Sequence, residues 1–129
     1  MRKLLADTNF LLMPAEYGID IAGELERLMD GPFTLQIPSG AIDEVKALAG
    51  KAGRRSAAAR FFLNNFENYK SRLKMEVLPS AGPVDEWIIK HAQKNKNLVA
   101  TNDVLLRRRL LAFGVPVLAM KGKSKLSFV

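Results

Sequence analysis

Short apolar runs alternate along the chain with longer segments that have apolar positions at helical spacing. The apolar runs are bounded by Gly, Pro, Ser or other polar residues and are typical of buried strands. They comprise residues 2–6, 33–37, 75–78, 98–101 and 115–119. The alternation predicts an α/β fold with a five-stranded, mostly parallel sheet covered by helices on both faces.

Proline and glycine residues suggest where several elements begin and end. Pro38 and Pro83 each precede a helical pattern, and each is predicted as the first helical residue, a position that proline favours. Gly114 is predicted to end the helix of residues 105–112. Pro116 then predicts that the last strand lies at a sheet edge, because proline cannot donate to a neighbouring strand.

A long helical stretch lies between the second and third predicted strands. It runs over about residues 41–73, is interrupted at Gly50 and Gly53, and is interpreted as a helical arm. Mostly apolar and aromatic residues at helical spacing form one stripe along this segment. Such a stripe favours a contact with the core or with a second copy of the chain in a homodimer over stacking on nucleic-acid bases. Its members are Ala58, Phe61, Phe62, Asn65, Phe66 and Tyr69. The tail, 121–129, has no clear pattern and is expected to be loosely specified.

Size and composition limit the classes of protein that this chain could belong to. With 129 residues and 48% hydrophobic content, we expect one domain, 1–129. The absence of cysteine excludes disulfides, thiolate zinc sites and cysteine nucleophiles. The N-terminal apolar run is short and broken by Asp7 and Asn9, so we expect no secretion signal, no membrane span and a soluble, cytoplasmic protein.

The chain is strongly basic. Its formal net charge is +7, which favours a polyanionic partner such as nucleic acid, although a solvated basic surface explains the charge equally well.

Two aspartates directly follow predicted strands. In a parallel sheet, ligands bind beyond the carboxyl ends of the strands, and Asp7 and Asp103 occupy such positions. Each has an ordinary alternative, since aspartate also caps the helix that follows it.

Two further acids are selected by helical periodicity. Asp85 shares a face with the apolar residues Ile88 and Ile89, whereas Glu86 projects from the opposite side. In the earlier helix Glu44 borders the apolar side. Four acids near strand ends would repel one another unless a divalent cation neutralised them, and all-oxygen ligation suits Mg²⁺ or Mn²⁺.

Four short motifs together resemble those of the PIN-domain nucleases. They are LADTN at 5–9, IPSGAIDEV at 37–45, VDEWII at 84–89 and VATNDVLLRRRL at 99–110. The resemblance extends over essentially the whole chain. The chain is most similar to archaeal PIN proteins related to endonucleases of small-subunit ribosomal RNA maturation, and more distantly similar to toxin nucleases.

The resemblance implies a three-layer α/β/α domain, Mg²⁺ or Mn²⁺ in an acidic pocket, and hydrolysis of RNA. By motif match, Asp7, Glu44, Asp85 and Asp103 would be both the metal-site and the catalytic acids. Many relatives carry another acid two residues after the last of these. Leu105 stands there in this chain, which puts tight binding of a second metal in doubt.

Polar and basic residues beside the acids are candidates for supporting roles. Hydrogen bonds to a ligand or phosphate are expected from Thr8, Asn9, Thr101 and Asn102, with turn and capping roles as alternatives. RNA contacts are expected from Arg107, Arg108 and Arg109, of which at least one should face the cleft. Arg54 and Arg55, and the tail lysines Lys121, Lys123 and Lys125, are further candidates. The only histidine, His91, is expected to pack.

The function predicted from the sequence is therefore that of an Mg²⁺- or Mn²⁺-dependent endoribonuclease, with ribosomal RNA maturation as the first role considered. The alternatives are a toxin ribonuclease of a toxin–antitoxin pair and an RNA-binding or assembly module that cuts nothing. The partners expected are RNA and, according to the role, an antitoxin or a ribosome-assembly protein.

Overall fold

A computed structural model of the chain describes residues 2–129, so only residue 1 of the predicted 1–129 domain lies outside it. The described part has six strands and seven helices. The strands are β1 (Arg2–Ala6), β2 (Phe33–Pro38), β3 (Met75–Leu78), β4 (Leu98–Ala100), β5 (Val117–Lys121) and β6 (Lys125–Phe128). The helices are α1 (Thr8–Tyr17), α2 (Ile21–Met29), α3 (Ser39–Ala49), α4 (Arg54–Asn64), α5 (Phe66–Arg72), α6 (Val84–Asn95) and α7 (Val104–Ala112).

The sheet separates two apolar cores. Its strand order is β3-β2-β1-β4-β5-β6, parallel except for the last pair. Along β1, Leu4 packs against the core under helices α1 to α4, whereas Leu5 packs against the core under α6 and α7. The alternation of β1 side chains between these cores produces a three-layer α/β/α arrangement, so the predicted fold class is confirmed.

The chain order reverses beside β1. The chain passes from β1 to β2 and β3 on one side, then crosses to β4 on the other side. The carboxyl ends of β1 and β4 therefore border the crevice in which ligands of open parallel sheets bind.

The two prolines stand one position earlier than predicted. Pro38 is the last residue of β2 and Pro83 precedes α6, and both have extended backbones with ψ of 138° and 134°. Each proline is therefore the residue before the helix, and α3 begins at Ser39 and α6 at Val84. Gly114 lies in the left-handed region just beyond α7, as its predicted role as a helix stop requires.

The segment interpreted as a helical arm contains three helices. Its breaks lie around Gly50 and Gly53, as predicted, and at Asn65. Ala58 and Phe62 of α4 are buried in the first core, whereas Phe61 is 43% exposed. The stripe therefore serves mainly as core contact.

The C-terminal region differs most from the prediction. The tail contains β6, which pairs antiparallel with β5, so the sheet has six strands rather than five. Consequently β5 is an interior strand, and its placement at an edge because of Pro116 was wrong. β5 begins after that proline, whose carbonyl accepts a hydrogen bond from Val99 N at 3.1 Å.

Within residues 2–129, no helix is long and apolar enough to cross a bilayer.

Candidate active site

Asp7 lies at the carboxyl end of β1 and caps α1. Its Oδ1 accepts a hydrogen bond from Phe10 N at 2.8 Å, while its Oδ2 accepts a short hydrogen bond from the Thr101 hydroxyl. Both Asp7 and Thr101 are buried, with 3% and 0% of their surfaces exposed. The carboxyl group is therefore held in place by a helix end and by the neighbouring strand.

Asp103 is joined to Asp7 through Thr101. The Thr101 hydroxyl oxygen accepts from Asp103 N at 3.0 Å while its proton is donated to Asp7. Asp103 also caps α7, because its Oδ1 accepts from Leu105 N at 2.9 Å and Leu106 N at 3.1 Å. One threonine thus connects the acids that follow β1 and β4.

Glu44 and Asp85 reach the same place from helices on opposite faces of the sheet. Glu44 is exposed on α3, and its Oε1 accepts from the Thr8 hydroxyl at 3.0 Å. Asp85, an exposed residue, lies in the first turn of α6, one turn before the buried Ile88 and Ile89.

All four predicted acids line one pocket of about 430 Å³. The complete lining consists of Asp7, Thr8, Asn9, Glu44, Ala47, Leu48, Lys51, Arg55, Asp85 and Asp103. The pocket therefore brings carboxylates from the ends of β1 and β4 together with side chains of α3, of the connection after it and of the first turn of α4.

Burial raises the pKa of the Asp7 carboxyl group to about 7. The hydrogen bonds from Thr101 and Phe10 N oppose this shift, whereas the charges of Asp85 and Asp103 add to it. Partial desolvation, followed by repulsion from Asp103 and Glu44, also raises the pKa of Asp85. The acids thus destabilise one another's ionised forms.

The donor set fits a hard divalent cation, because four carboxyl groups line the pocket without a basic side chain forming an ion pair with any of them in residues 2–129. In that part of the chain, no three His, Cys, Asp or Glu side chains have the spacing of an assembled metal site. Thr8 and the backbone donors hold three of the carboxyl groups in their present positions.

The pocket's basic residues are not the ones favoured from the sequence. Of the residues that the structure describes, Lys51 and Arg55 line the pocket, and Arg107, Arg108 and Arg109 do not. Arg109 instead forms a two-bond ion pair with Glu86, at 2.7 and 3.1 Å.

Glu86, for which the sequence predicted a direction away from Asp85, is exposed and paired with Arg109, although Glu86 and Asp85 both lie in the first turn of α6. Arg109 remains near enough to Asp85 to oppose the rise in its pKa.

Lys51 was missed, although the sequence contained a signal. It lies seven residues after Glu44, which is two helical turns, and Ala47 and Leu48 between them also line the pocket. Extending the face that carries Glu44 by two turns would have identified it. Arg55 was considered, but only the turn between α3 and α4 directs it towards the acids.

Three of the remaining candidates have defined partners. Asn9 lines the pocket and accepts a hydrogen bond from Arg55, whereas Asn102 bonds the Tyr17 hydroxyl and Met120 N and is absent from the lining that the structure describes. His91 stacks on Trp87 with ring centroids 4.5 Å apart.

Known proteins are similar to this chain in sequence and in fold. A family described as "PIN like domain" matches residues 4–123. Ribonuclease VapC4 of Methanocaldococcus jannaschii is 32% identical over 127 residues, which cover 95% of this chain and 93% of that protein.

Two solved structures share the fold. The PIN domain endonuclease Utp24 superposes with a TM-score of 0.75 at 24% identity, covering 98% of this chain and 90% of the other. A domain of a functionally unknown protein from Methanocaldococcus jannaschii has a TM-score of 0.69 at 18% identity, covering 95% and 93%.

Proposed function

Because the chain belongs to the PIN-like domain family, we propose that it is a divalent-metal-dependent endoribonuclease whose active site is the four-acid pocket. The observation that carries this proposal is the convergence of Asp7, Glu44, Asp85 and Asp103 from four separate parts of the chain. A requirement for folding does not explain such convergence, because clustered carboxylates repel one another.

RNA is the proposed substrate for two reasons. The relative that matches nearly the full length of this chain is named as a ribonuclease. The chain also carries 20 Lys and Arg against 13 Asp and Glu, a surplus that favours a polyanion.

The four acids would hold Mg²⁺ or Mn²⁺. When bound, the cation would supply Lewis-acid activation of water and neutralise charge that develops on the phosphoryl oxygens. This assignment accounts for carboxyl groups whose pKa values are raised by burial and mutual repulsion, since a cation would stabilise their ionised forms.

The chain's own residues orient these groups. Thr101 fixes Asp7 and the backbone at Asp103 together, and Thr8 holds Glu44 at the pocket wall. Asp7 is the most deeply buried of the acids and is positioned for a constant orientation, whereas Glu44 and Asp85 are exposed and accessible to water.

Cleavage of labelled single-stranded and hairpin RNAs, with Mg²⁺, with Mn²⁺ and with excess chelator, tests the proposal. We expect metal-dependent cleavage that Glu44→Gln and Asp85→Asn reduce by at least about 100-fold. Their matched controls are Asp43→Asn and Glu86→Gln, which alter neighbouring acids that do not line the pocket. Undiminished cleavage in chelator, or equal losses in the controls, would contradict the proposal.

Two cellular roles are consistent with this activity, namely maturation of ribosomal RNA and action as the toxin of a toxin–antitoxin pair. The near-full-length similarity to Ribonuclease VapC4 favours testing the toxin role directly. Induced expression should arrest growth in that case, and a variant of Asp7 should not. Metal-dependent binding without cleavage would instead support an RNA-binding or assembly module.

A further inference from the structure

Two basic side chains share the pocket with the acids and yet form no ion pair with them. Lys51, on the connection between α3 and α4, and Arg55, in the first turn of α4, both line the pocket. The ion pairs found in residues 2–129 join other residues, and Lys51 Nζ has no hydrogen-bond or ion-pair partner there. The positive charges of Lys51 and Arg55 thus lie in the same pocket as the acids without forming ion pairs with them.

Arg55 is oriented by a neighbour of the acids. Its Nη2 donates to Asn9 Oδ1 at 3.1 Å, and Asn9 follows Asp7 by two residues. A guanidinium group has five donors, so this bond leaves donors for a second ligand. The planar arrangement of those donors matches a phosphate group, which can accept two of them at once.

The connection that carries Lys51 and leads into α4 is held from outside the pocket. Arg60 Nη1 donates to the carbonyl oxygens of Ala49 and Lys51, each at 3.0 Å. Gly53 has a φ of 111°, which side-chain-bearing residues rarely adopt, and it turns the chain into α4. The backbone at Lys51 is therefore held by a cation that does not itself line the pocket.

The lining of the pocket carries both signs of charge, because Lys51 and Arg55 line it together with the four acids. The acids at the strand ends attract a cation but repel RNA, so a phosphodiester could approach them only where positive charge offsets the repulsion. Lys51 and Arg55 supply that charge inside the pocket itself, whereas Arg109 is already paired with Glu86.

We infer that Lys51 and Arg55 form a phosphate-binding clamp that holds the RNA backbone beside the acids of the pocket. The inference rests on the proposed ribonuclease function and adds to it the residues that bind the substrate's phosphodiester. Lys51 contributes a compact charge, and Arg55 contributes directed hydrogen bonds.

The test compares four single alanine variants that each remove one positive charge. Lys51→Ala and Arg55→Ala alter the clamp, whereas Lys46→Ala and Arg54→Ala remove exposed cations of α3 and α4 that do not line the pocket. Fluorescence anisotropy with a labelled single-stranded RNA, in chelator and over a range of salt concentrations, measures binding. Steady-state cleavage measures kcat and KM.

We expect each clamp variant to raise Kd about tenfold or more and to reduce the salt slope by about 0.7, the value for one lost phosphate contact on a single strand. KM should rise with Kd. Arg55→Lys should recover part of the affinity, because it restores charge without the planar donor arrangement. The two control variants should bind within about twofold of the wild type, as expected for exposed cations remote from the phosphate.

Equal losses in clamp and control variants would overturn the inference, since only general charge would then matter. Wild-type affinity in Lys51→Ala and Arg55→Ala would also overturn it, especially if alanine at Arg107 or Arg108 weakened binding instead. Thermal melts exclude misfolding, and Lys51→Ala removes no side-chain hydrogen bond or ion pair within residues 2–129. If clamp variants lost binding while the wild type bound RNA but never cleaved it, the clamp would stand and the proposed nuclease activity would fail.

Discussion

Asp7 illustrates how one side chain can be both a structural and a chemical group. It caps α1 and accepts from Thr101, so an oxygen is needed there for folding. Its negative charge is not needed for the cap, and burial makes that charge costly, as the rise in its pKa to about 7 indicates. Stability and activity should therefore respond differently when only the charge is removed.

The metal-free protein should lose stability as pH rises from about 4 to about 7. The pKa of Asp7 is about 7 in the folded protein, against an ordinary value of 3.8 in the unfolded chain. Between these two pH values the folded state therefore binds more protons than the unfolded state, and its stability falls as pH rises. The contribution is at most about 4 kcal/mol, and it should level off above about pH 7. Denaturant titrations in chelator across pH should show a smaller decline for Asp7→Asn than for the wild type.

Asp7→Asn should at the same time abolish cleavage. If the variant showed the same pH-dependent decline as the wild type, the decline would belong to another group, such as Asp85, whose pKa is also raised.

At Asp103 the capping and chemical roles can be separated by two substitutions. Asparagine retains the Oδ1 that accepts from Leu105 N and Leu106 N, whereas alanine removes it. Asp103→Asn should change stability by less than about 1 kcal/mol, and Asp103→Ala should cost about 1–2 kcal/mol. Both should lose metal-dependent cleavage, and Mg²⁺ should raise the Tm of the wild type more than that of either variant.

Normal cleavage by Asp103→Asn would leave this residue as a helix cap only.

Among the elements, α3 and α6 are held relative to each other by two serines. Ser80 N donates to Ser39 Oγ at 2.9 Å, and Gly40 N donates to Ser80 Oγ at 2.8 Å. A Cβ at Gly40 would lie only 3.1 Å from Ser80 Oγ, so the two segments are in close contact. These bonds join the start of α3, which carries Glu44, to the loop before α6, which carries Asp85.

Ser80→Ala should therefore weaken both the fold and the site. Gly40 N would lose its acceptor in a half-buried position, at a cost of about 1–3 kcal/mol. Cleavage should fall through kcat, because Glu44 and Asp85 would no longer be held at a constant separation. The control is Ser71→Ala, whose exposed hydroxyl bonds only within α5 and should change stability by less than about 0.5 kcal/mol. Loss of stability with unchanged kcat would confine the serines to folding.

At the scale of the whole molecule, β6 completes the first core. Leu126 is 1% exposed, its N donates to Glu24 Oε1, and its carbonyl accepts from Arg27, each at 2.9 Å. The ion pair between Glu24 and Arg27 on α2 thus receives the backbone of a strand about a hundred residues later in the chain.

Leu126→Ala should cost about 2–4 kcal/mol in the free energy of unfolding, because it leaves a cavity in the core. Leu105→Ala is the matched control, since Leu105 is 72% exposed and the same atoms are removed. It should change stability by less than about 0.5 kcal/mol. Equal effects in urea denaturation would mean that β6 adds nothing to the core.

The sequence by itself determined those features that depend on local periodicity and on chain direction. Apolar runs located β1 to β5 to within two residues, because strands of a parallel sheet covered by helices are rich in apolar residues. In a parallel sheet the carboxyl ends of the strands share one edge, so acids after strands or in first helical turns could be predicted to converge, as Asp7 and Asp103 do.

Tertiary structure alone decided the features that depend on contacts between distant residues. β6 has a weak apolar pattern, and it is a strand because β5 and the ion pair on α2 supply its partners. Likewise, charge in the sequence could not distinguish Arg55 from Arg109. The turn after α3 brings the first into the pocket, whereas Glu86 on a neighbouring helix holds the second outside it. Such choices depend on which partner lies within a few ångströms, and that is settled only when the chain has folded.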